Sequence, residues 1–317
     1  MKIVADLLDA DPLPVPKVPA WARPRGEVQR DLDAGYLAGA ALNSLDNLVH
    51  GTPLWGGVWR QRLALKSAAA ATRLLGRTEE ESALRDAQLF RAAGDDPGPG
   101  GKVLLVWRRL ASRSTTLDEE AARSIAELLE LKWDEALAEV LANAEDLTAS
   151  SRPAPVVAAD IAAELYRARP DAELMAFWLA DVVLALKLRW PIPVPLLMGQ
   201  VNAASFKAGE PRRRIRPGDE GWGRAVLLAY AQAAAEACDL GADMARRSAM
   251  LLEVAPKLRA KGSADVVKLL LDDDALPGSW SSAKLSARGA RRLFERLQDL
   301  GAVRELSGRP TFRLYGL

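Results

Sequence analysis

Apolar residues recur at helical spacing in one segment after another from residue 28 to residue 254, and proline or glycine separates most of these segments. Pro53 and Gly76, for example, bound a segment rich in alanine and leucine, and three prolines interrupt residues 190–195. Alternating, strand-like patterning is nearly absent before Ala302. The chain is therefore expected to be mainly α, with a body made of packed helices.

The distribution of proline and glycine also predicts the organisation of the chain. Residues 1–25 contain five prolines and are expected to form an extended arm that lies on the body or leads into it. An all-α body is expected over residues 26–256, with a linker near residues 150–155 and an exposed or disordered loop at residues 207–223. Residues 257–317 are then a separate C-terminal module.

The C-terminal module has the order of elements that a winged helix-turn-helix needs. A short helix is predicted from Ala264 and a stronger one over residues 286–300, where Ser286 is suited to cap the first turn. Two β-patterned runs follow at residues 302–306 and 311–315 and are joined by a turn. The predicted fold class is therefore a mainly α, multi-helix bundle with a C-terminal winged helix-turn-helix whose wing is a short β-hairpin.

Positive charge is concentrated in this module. Residues 284–317 contain eight basic and three acidic residues, a net charge of +5, whereas the rest of the chain carries −4 and the whole chain +1. The helix over residues 286–300 has an apolar stripe, with arginines mainly on the opposite arc. The stripe consists of Ala290, Leu293, Phe294, Leu297 and Leu300, and the arginines are Arg288, Arg291, Arg292 and Arg296.

A helix that is buried along one face and rich in guanidinium groups along the other can occupy the major groove of DNA. We predict that Arg288, Arg291 and Arg292 contact the groove, and that Arg309 and Arg313 on the hairpin contact phosphates. Two plainer interpretations stay open, because basic solvent-facing helices are common and winged-helix modules also bind proteins. A single module would bind DNA weakly, so high affinity would require a homodimer or help from the loop arginines at residues 212–214.

The sequence contains no catalytic or metal-binding constellation. His50 is the only histidine and is expected to end a helix, and the only cysteine, Cys238, is expected to be a packed small residue. Asp95 and Asp96 precede a Pro-Gly turn, which explains both residues without Mg²⁺. We therefore expect no metal and no cofactor, and the residues favour a non-enzymatic protein.

Two other stretches have structural explanations. The glycines of residues 98–101 follow no predicted strand and lack the Lys-Ser/Thr pair of a phosphate-binding loop. The acidic run at residues 272–274 is expected either to keep one side of the module away from DNA or to pair with Arg288. Neither stretch indicates catalysis.

No part of the sequence indicates contact with a membrane. The most apolar predicted helix, residues 174–190, is interrupted by three charged residues and is too short to cross a bilayer. Asp6 and Asp9 stand where a signal peptide would need an apolar core. A cytoplasmic protein is therefore expected.

Several stretches, spread over nearly the whole chain, carry a further pattern: residues 55–65, 83–87, 94–99, 178–181, 255–262, 291–297 and 301–316. Together they resemble a bacterial family of unknown function, known as domain of unknown function fourteen-oh-three. This resemblance implies no known activity.

Residues 52–60 are distantly similar to the active-site motif of Fic-type proteins, which are helical nucleotidyl transferases that often end in a winged helix. Pro53, Gly57 and Arg60 match the motif His-Pro-Phe-x-Asp/Glu-Gly-Asn-Gly-Arg. Thr52, Gly56 and Val58 replace its histidine, its acidic residue and its asparagine. The similarity implies a scaffold that has lost general-base and metal chemistry.

The sequence thus favours a non-enzymatic DNA-binding protein, either a transcriptional regulator or an accessory protein of a mobile element, that acts through its C-terminal winged helix. The alternative is a degenerate Fic-like scaffold that binds a nucleotide or a partner protein, with the winged helix as an interaction module. DNA is the expected partner, and a homodimer or a protein partner are the alternatives.

Overall fold

The computed structural model describes residues 14–91, 94–208, 213–309 and 311–317. Eleven α-helices lie in this part of the chain and account for most of it, so the predicted mainly α fold is confirmed. In chain order they are α1 (Asp31–His50), α2 (Gly56–Leu74), α3 (Glu81–Leu89), α4 (Gly98–Leu110), α5 (Glu119–Leu128), α6 (Glu135–Ala149), α7 (Ala154–Ala168), α8 (Glu173–Lys187), α9 (Trp222–Val254), α10 (Ser263–Asp272) and α11 (Ala287–Asp299).

Five strands of two or three residues form two small antiparallel sheets in the described residues. Strands β1 (Lys207–Ala208) and β2 (Arg213–Arg214) form a hairpin within the body, which the sequence predicts to be all-α. Strands β3 (Leu276–Pro277), β4 (Arg304–Glu305) and β5 (Leu314–Gly316) form the second sheet, and β5 lies between the other two. The pattern predicts β4 and β5 but not β3, because two residues that include a proline show no alternation.

Two side-chain caps decide how residues 117–147 fold. The Asp118 carboxylate accepts the N–H of Ala121 at 2.7 Å, and the Asp134 carboxylate accepts the N–H of Leu137 at 3.1 Å. Each of these hydrogen bonds satisfies a free N–H in the first turn of a helix. The segment therefore forms two separate helices, α5 and α6.

Helix α4 begins inside the glycine-rich stretch that the sequence marks as a turn. The Asp96 carboxylate accepts the N–H of Gly98 at 3.0 Å, which closes the turn just before the helix. Pro99 follows in the first helical turn, where the missing N–H of proline has no cost. The helix therefore begins directly after this turn, and the assignment of Asp96 to turn chemistry is confirmed.

The hydrophobic core is centred on α8, which is buried on almost all of its faces, as its apolar sequence predicts. Helix α7 packs against α8, and α1 lies along α9. The rings of Phe177, Phe206 and Trp222 meet in this core. The same core continues into the C-terminal module, where it includes Phe294 and Tyr315.

The described part of the Pro-rich arm lies against the body. Val18 and Ala22 are buried, and the two terminal nitrogens of Arg23 each donate to the carboxylate of Asp239 on α9 at 2.7 Å. Pro12, which belongs to the predicted arm, lies outside the described residues.

Part of the predicted loop at residues 207–223 forms the antiparallel pair of β1 and β2. Arg214 donates to both carboxylate oxygens of Glu173 on α8, at 2.6 and 3.0 Å, and both side chains are largely shielded from solvent. Residues 209–212, including Arg212, lie outside the described part. Arg214 is thus bound within the body and not presented to a partner.

Candidate nucleic-acid interface

Helix α11 begins and packs as its sequence predicts. The Ser286 hydroxyl accepts the N–H of Gly289 at 3.2 Å, which confirms the predicted N-cap. Four residues of the predicted apolar stripe are buried, and Leu300 is half-buried at the end of the helix. The Phe294 ring stacks on the Tyr315 ring of β5, with 4.8 Å between centroids and an angle of 4° between planes. The side of α11 that carries the apolar stripe is therefore fixed to the sheet.

The opposite side of α11 is exposed and basic. Its arginines are all exposed, and no carboxylate in the described residues lies within 4.0 Å of their guanidinium nitrogens. At 100° per residue, Glu295 and Asp299 share this side in the second half of the helix. The first half carries arginine without any carboxylate. The residues of this basic face are Arg288, Arg291, Arg292 and Arg296.

The two hairpin arginines differ in their surroundings. Arg309 is exposed but pairs with Asp86 of α3 at 2.5 Å, and the ring of Phe312 meets the edge of Phe90 with 5.7 Å between centroids. Arg313 is exposed, and no carboxylate among the described residues lies within 4.0 Å of its guanidinium. The hairpin thus contacts the body at α3 and the residue after it, and Arg309 already has an anionic partner there.

The acidic run at residues 272–274 joins the module to the body. Asp273 accepts from both terminal nitrogens of Arg108 on α4, at 2.9 and 2.8 Å. The Asp274 carboxylate forms an ion pair with Arg62 of α2, whose Nε atom lies 2.6 Å away, and accepts a hydrogen bond from Nε of Arg85 of α3 at 2.5 Å. The prediction that this run pairs with Arg288 is wrong, because three arginines from three helices of the body take that place.

Close backbone contacts reinforce these ion pairs. A Cβ atom on Gly57 of α2 would lie 2.6 Å from the Cα atom and 2.8 Å from the carbonyl oxygen of Asp272. A Cβ atom on Gly316 of β5 would lie 2.5 Å from the carbonyl oxygen of Asp274. The carbonyl oxygen of Leu317 accepts from Arg62 at 2.7 Å. The module is therefore seated on α2, and the direction in which α11 faces solvent is set by the body.

A family model described as "Protein of unknown function (DUF1403)" matches residues 7–317. The chain belongs to this family. The resemblance carried by the stretches between residues 55 and 316 is thereby confirmed, and the description of the family names no activity. A comparison with curated proteins found no match.

The DUF1403 chain shows no membrane-spanning helix in the residues that the structure describes: none combines the necessary length with the necessary apolar character. The same residues contain no group of three or more His, Cys, Asp or Glu side chains arranged to hold a metal ion. His50 ends α1, as predicted, and its Nε2 atom lies 3.4 Å from the carbonyl oxygen of Leu188. Cys238 is buried, as predicted, and burial raises the pKa of its thiol to about 12.

The segment that is similar to the Fic motif is packed within the fold. Arg60 donates from Nε to the carbonyl oxygen of Ala111 at 3.1 Å, and burial lowers its pKa. Three cavities in the described part of the chain, of about 110, 30 and 10 Å³, are lined by other residues than Arg60, Asp95 or Asp96. Each is smaller than a typical small-molecule site.

Asp181 is a buried charged residue whose role the sequence does not predict. Its carboxylate accepts the N–H groups of Leu196 and Leu197, at 2.8 and 3.2 Å, and the hydroxyl of Tyr230 at 3.2 Å. Burial raises its pKa to about 7, although the three hydrogen bonds act in the opposite direction. Asp181 thus connects α8, the segment after it and α9. The only signal in the sequence is a carboxylate within an apolar helix.

Proposed function

We propose that this chain is a non-enzymatic DNA-binding protein whose C-terminal module is a winged helix and presents α11 to the major groove. The single observation that carries this proposal is the exposed face of α11, whose arginines have no carboxylate partner among the described residues. A helix of 10–12 Å overall diameter fits a groove about 12 Å wide.

The strand order supports a winged-helix arrangement. In such a module a helix precedes the first strand, the recognition helix follows it, and the last strand inserts between the other two. Here α10, β3, α11, β4 and β5 follow in that order, and β5 is the central strand. Between β3 and α11, residues 278–286 form turns and one isolated β-bridge, which joins Ser282 and Leu285. This segment contains no further helix.

The charge pattern of α11 indicates which end of the helix meets the bases. Recognition helices contact base edges with their N-terminal residues. Arg288, Arg291 and Arg292 occupy that half, whereas Glu295 and Asp299 lie in the C-terminal half, where they would repel phosphates. We expect Arg313, which is exposed, to bind a flanking phosphate. Arg309 would have to leave Asp86 or share its guanidinium with that carboxylate, so we expect a smaller contribution from it.

Binding by one module should be weak and should depend strongly on salt. With about four phosphates neutralised, the slope of log K against log salt is about −3.6, so affinity should fall ~100-fold between 50 and 200 mM salt. The test is fluorescence anisotropy of a labelled duplex with the full chain across this salt series. The Arg291→Glu/Arg292→Glu variant should lose binding.

A matched variant shows whether a loss of binding comes from the change in α11 or only from the change in net charge. Arg25→Glu/Arg73→Glu changes the net charge by the same amount at two exposed arginines outside the module. We expect this variant to bind nearly as the wild type does. Equal binding by the wild type and the α11 variant, equal losses in both variants, or no binding by the wild type at 50 mM salt would each refute the proposal.

A further inference from the structure

Three large apolar side chains form an exposed patch at the start of α1. Trp21, Leu32 and Tyr36 are 59%, 78% and 65% exposed. The Trp21 ring stacks on the Tyr36 ring with 5.7 Å between centroids, and Leu32 lies one helical turn before Tyr36. Together these side chains expose roughly 400 Å², which is the size of the largest apolar patch on a typical monomer, and such patches are often functional.

The patch belongs to a fixed part of the structure. Trp21 lies in a short turn of helix between the buried residues Val18 and Ala22. The next part of the arm is tied to α9 by the bidentate pair of Arg23 with Asp239. The arm therefore holds the indole ring in solvent, and fraying of a loose segment does not explain its exposure.

Two glycines lie beside the patch, and nothing inside the chain requires them. A Cβ atom on Gly35 or Gly39 would meet no atom within 4 Å, whereas Ala34 and Ala38 form the buried side of the same helix. Glycine within a helix costs roughly 0.5–1 kcal/mol relative to alanine. Gly35 and Gly39 lie on or next to the exposed apolar side of α1. Because they have no side chain, another helix can approach α1 closely there.

We propose that this face of α1 binds the same face of a second copy of the chain, with the two α1 helices antiparallel across a two-fold axis. An axis between Tyr36 and Gly39 brings Tyr36 of each copy opposite Gly39 of the other. The bulky Tyr36 and the gap at Gly39 lie one turn apart on the same face, so this face is complementary to a second copy of itself. An isologous interface requires such self-complementarity. A partner of a different kind would have no need for both features on the same face.

The patch supplies part of the area that a dimer needs. Two copies of the three side chains supply roughly 800 Å², about half of what a standard interface buries in total, so the residues around the patch must supply the rest. The polar residues around the patch would form the rim, as in other interfaces. Association through this patch does not require DNA, so it can be measured with the protein alone.

Sedimentation equilibrium of the full chain measures the association directly. The wild-type mass should rise from 34.2 kDa toward twice that value as the concentration rises to about 100 µM. Gly39→Leu fills the gap, and Tyr36→Ala removes the side chain that enters it. Each should raise the dimer dissociation constant at least tenfold.

Two further measurements show whether a loss of association is specific. Gly39→Leu should not lower the melting temperature of the monomer, because its side chain enters open space and leucine favours a helix more than glycine does. Met250→Ala should associate as the wild type does. Met250 is an exposed apolar residue about 40 Å along α9 from Arg224, which contacts the start of α1. A wild type that stays monomeric throughout overturns the proposal, and so does a dimer unaffected by both variants.

Discussion

Replacing Asp274 by asparagine should destabilise the whole chain, because this carboxylate holds the C-terminal module to the body. Its side chain is 5% exposed and forms ion pairs with Arg62 and Arg85, which are 15% and 12% exposed. Removing one partner of a buried ion pair costs about 3–5 kcal/mol, since a buried charge is left without compensation. Arg62 keeps its hydrogen bond to Leu317, so we expect a loss near the lower end, about 3 kcal/mol.

The change can be measured by urea denaturation followed by far-UV circular dichroism, with the slope of the transition compared between the proteins. For 317 residues, a loss of 3 kcal/mol corresponds to a decrease of about 4–5 °C in melting temperature. Asp299→Asn is the control, because Asp299 is exposed and has no ion pair in the described part of the chain. A loss below about 1 kcal/mol for Asp274→Asn, the range of a surface pair, would refute the assignment of Asp274 as the main attachment.

Three further predictions concern the body and its contact with the module. Gly57→Ala should lower the free energy of unfolding by about 2 kcal/mol or more, because its Cβ atom would collide with the backbone of Asp272. The control Gly223→Ala should cause no such loss, because its Cβ atom enters open space. Equal urea midpoints for the two variants would contradict this prediction. Asp181 has a folded-state pKa of about 7, above its value in the unfolded chain, so its contribution to stability is full below pH 4 and is lost as pH rises to 7. Melting temperatures of the wild type should therefore fall over this range relative to those of Asp181→Asn, and parallel pH profiles would show that Asp181 does not titrate there. Cys238 should react with a thiol reagent at pH 8 only after unfolding, because its thiol is buried and protonated; rapid labelling of the native chain would contradict its burial.

Local signals in the sequence predict the helix that carries the candidate site. Ser286, the apolar stripe and the opposing arginines of α11 all lie within fifteen residues, so their spacing alone determines the cap and the two faces. The same holds for α8, whose uniform apolarity predicts its central position. These features depend on contacts between residues that are close in the chain.

The partners of the charged residues could not be predicted in this way. Asp274 contacts Arg62 and Arg85, and Arg309 contacts Asp86, across separations of about 190 to 220 residues. A carboxylate that is destined for a buried pair has the same local pattern as one in solvent. Which charged residues pair depends on how the helices of the body assemble. The spacing of residues along the chain does not predict that assembly.

Because β5 is the central strand of its sheet, the sheet can form only after the last residues of the chain have been synthesised. Strands β3 and β4 do not pair with each other, and each needs residues 314–316 as its neighbour. The ring of Phe294 likewise lacks its stacking partner until Tyr315 has been added. The orientation of α11 therefore becomes fixed only once residues 314–316 are free to pair with both strands. A chain that stopped before Leu314 would leave its basic helix unanchored on the side of the sheet.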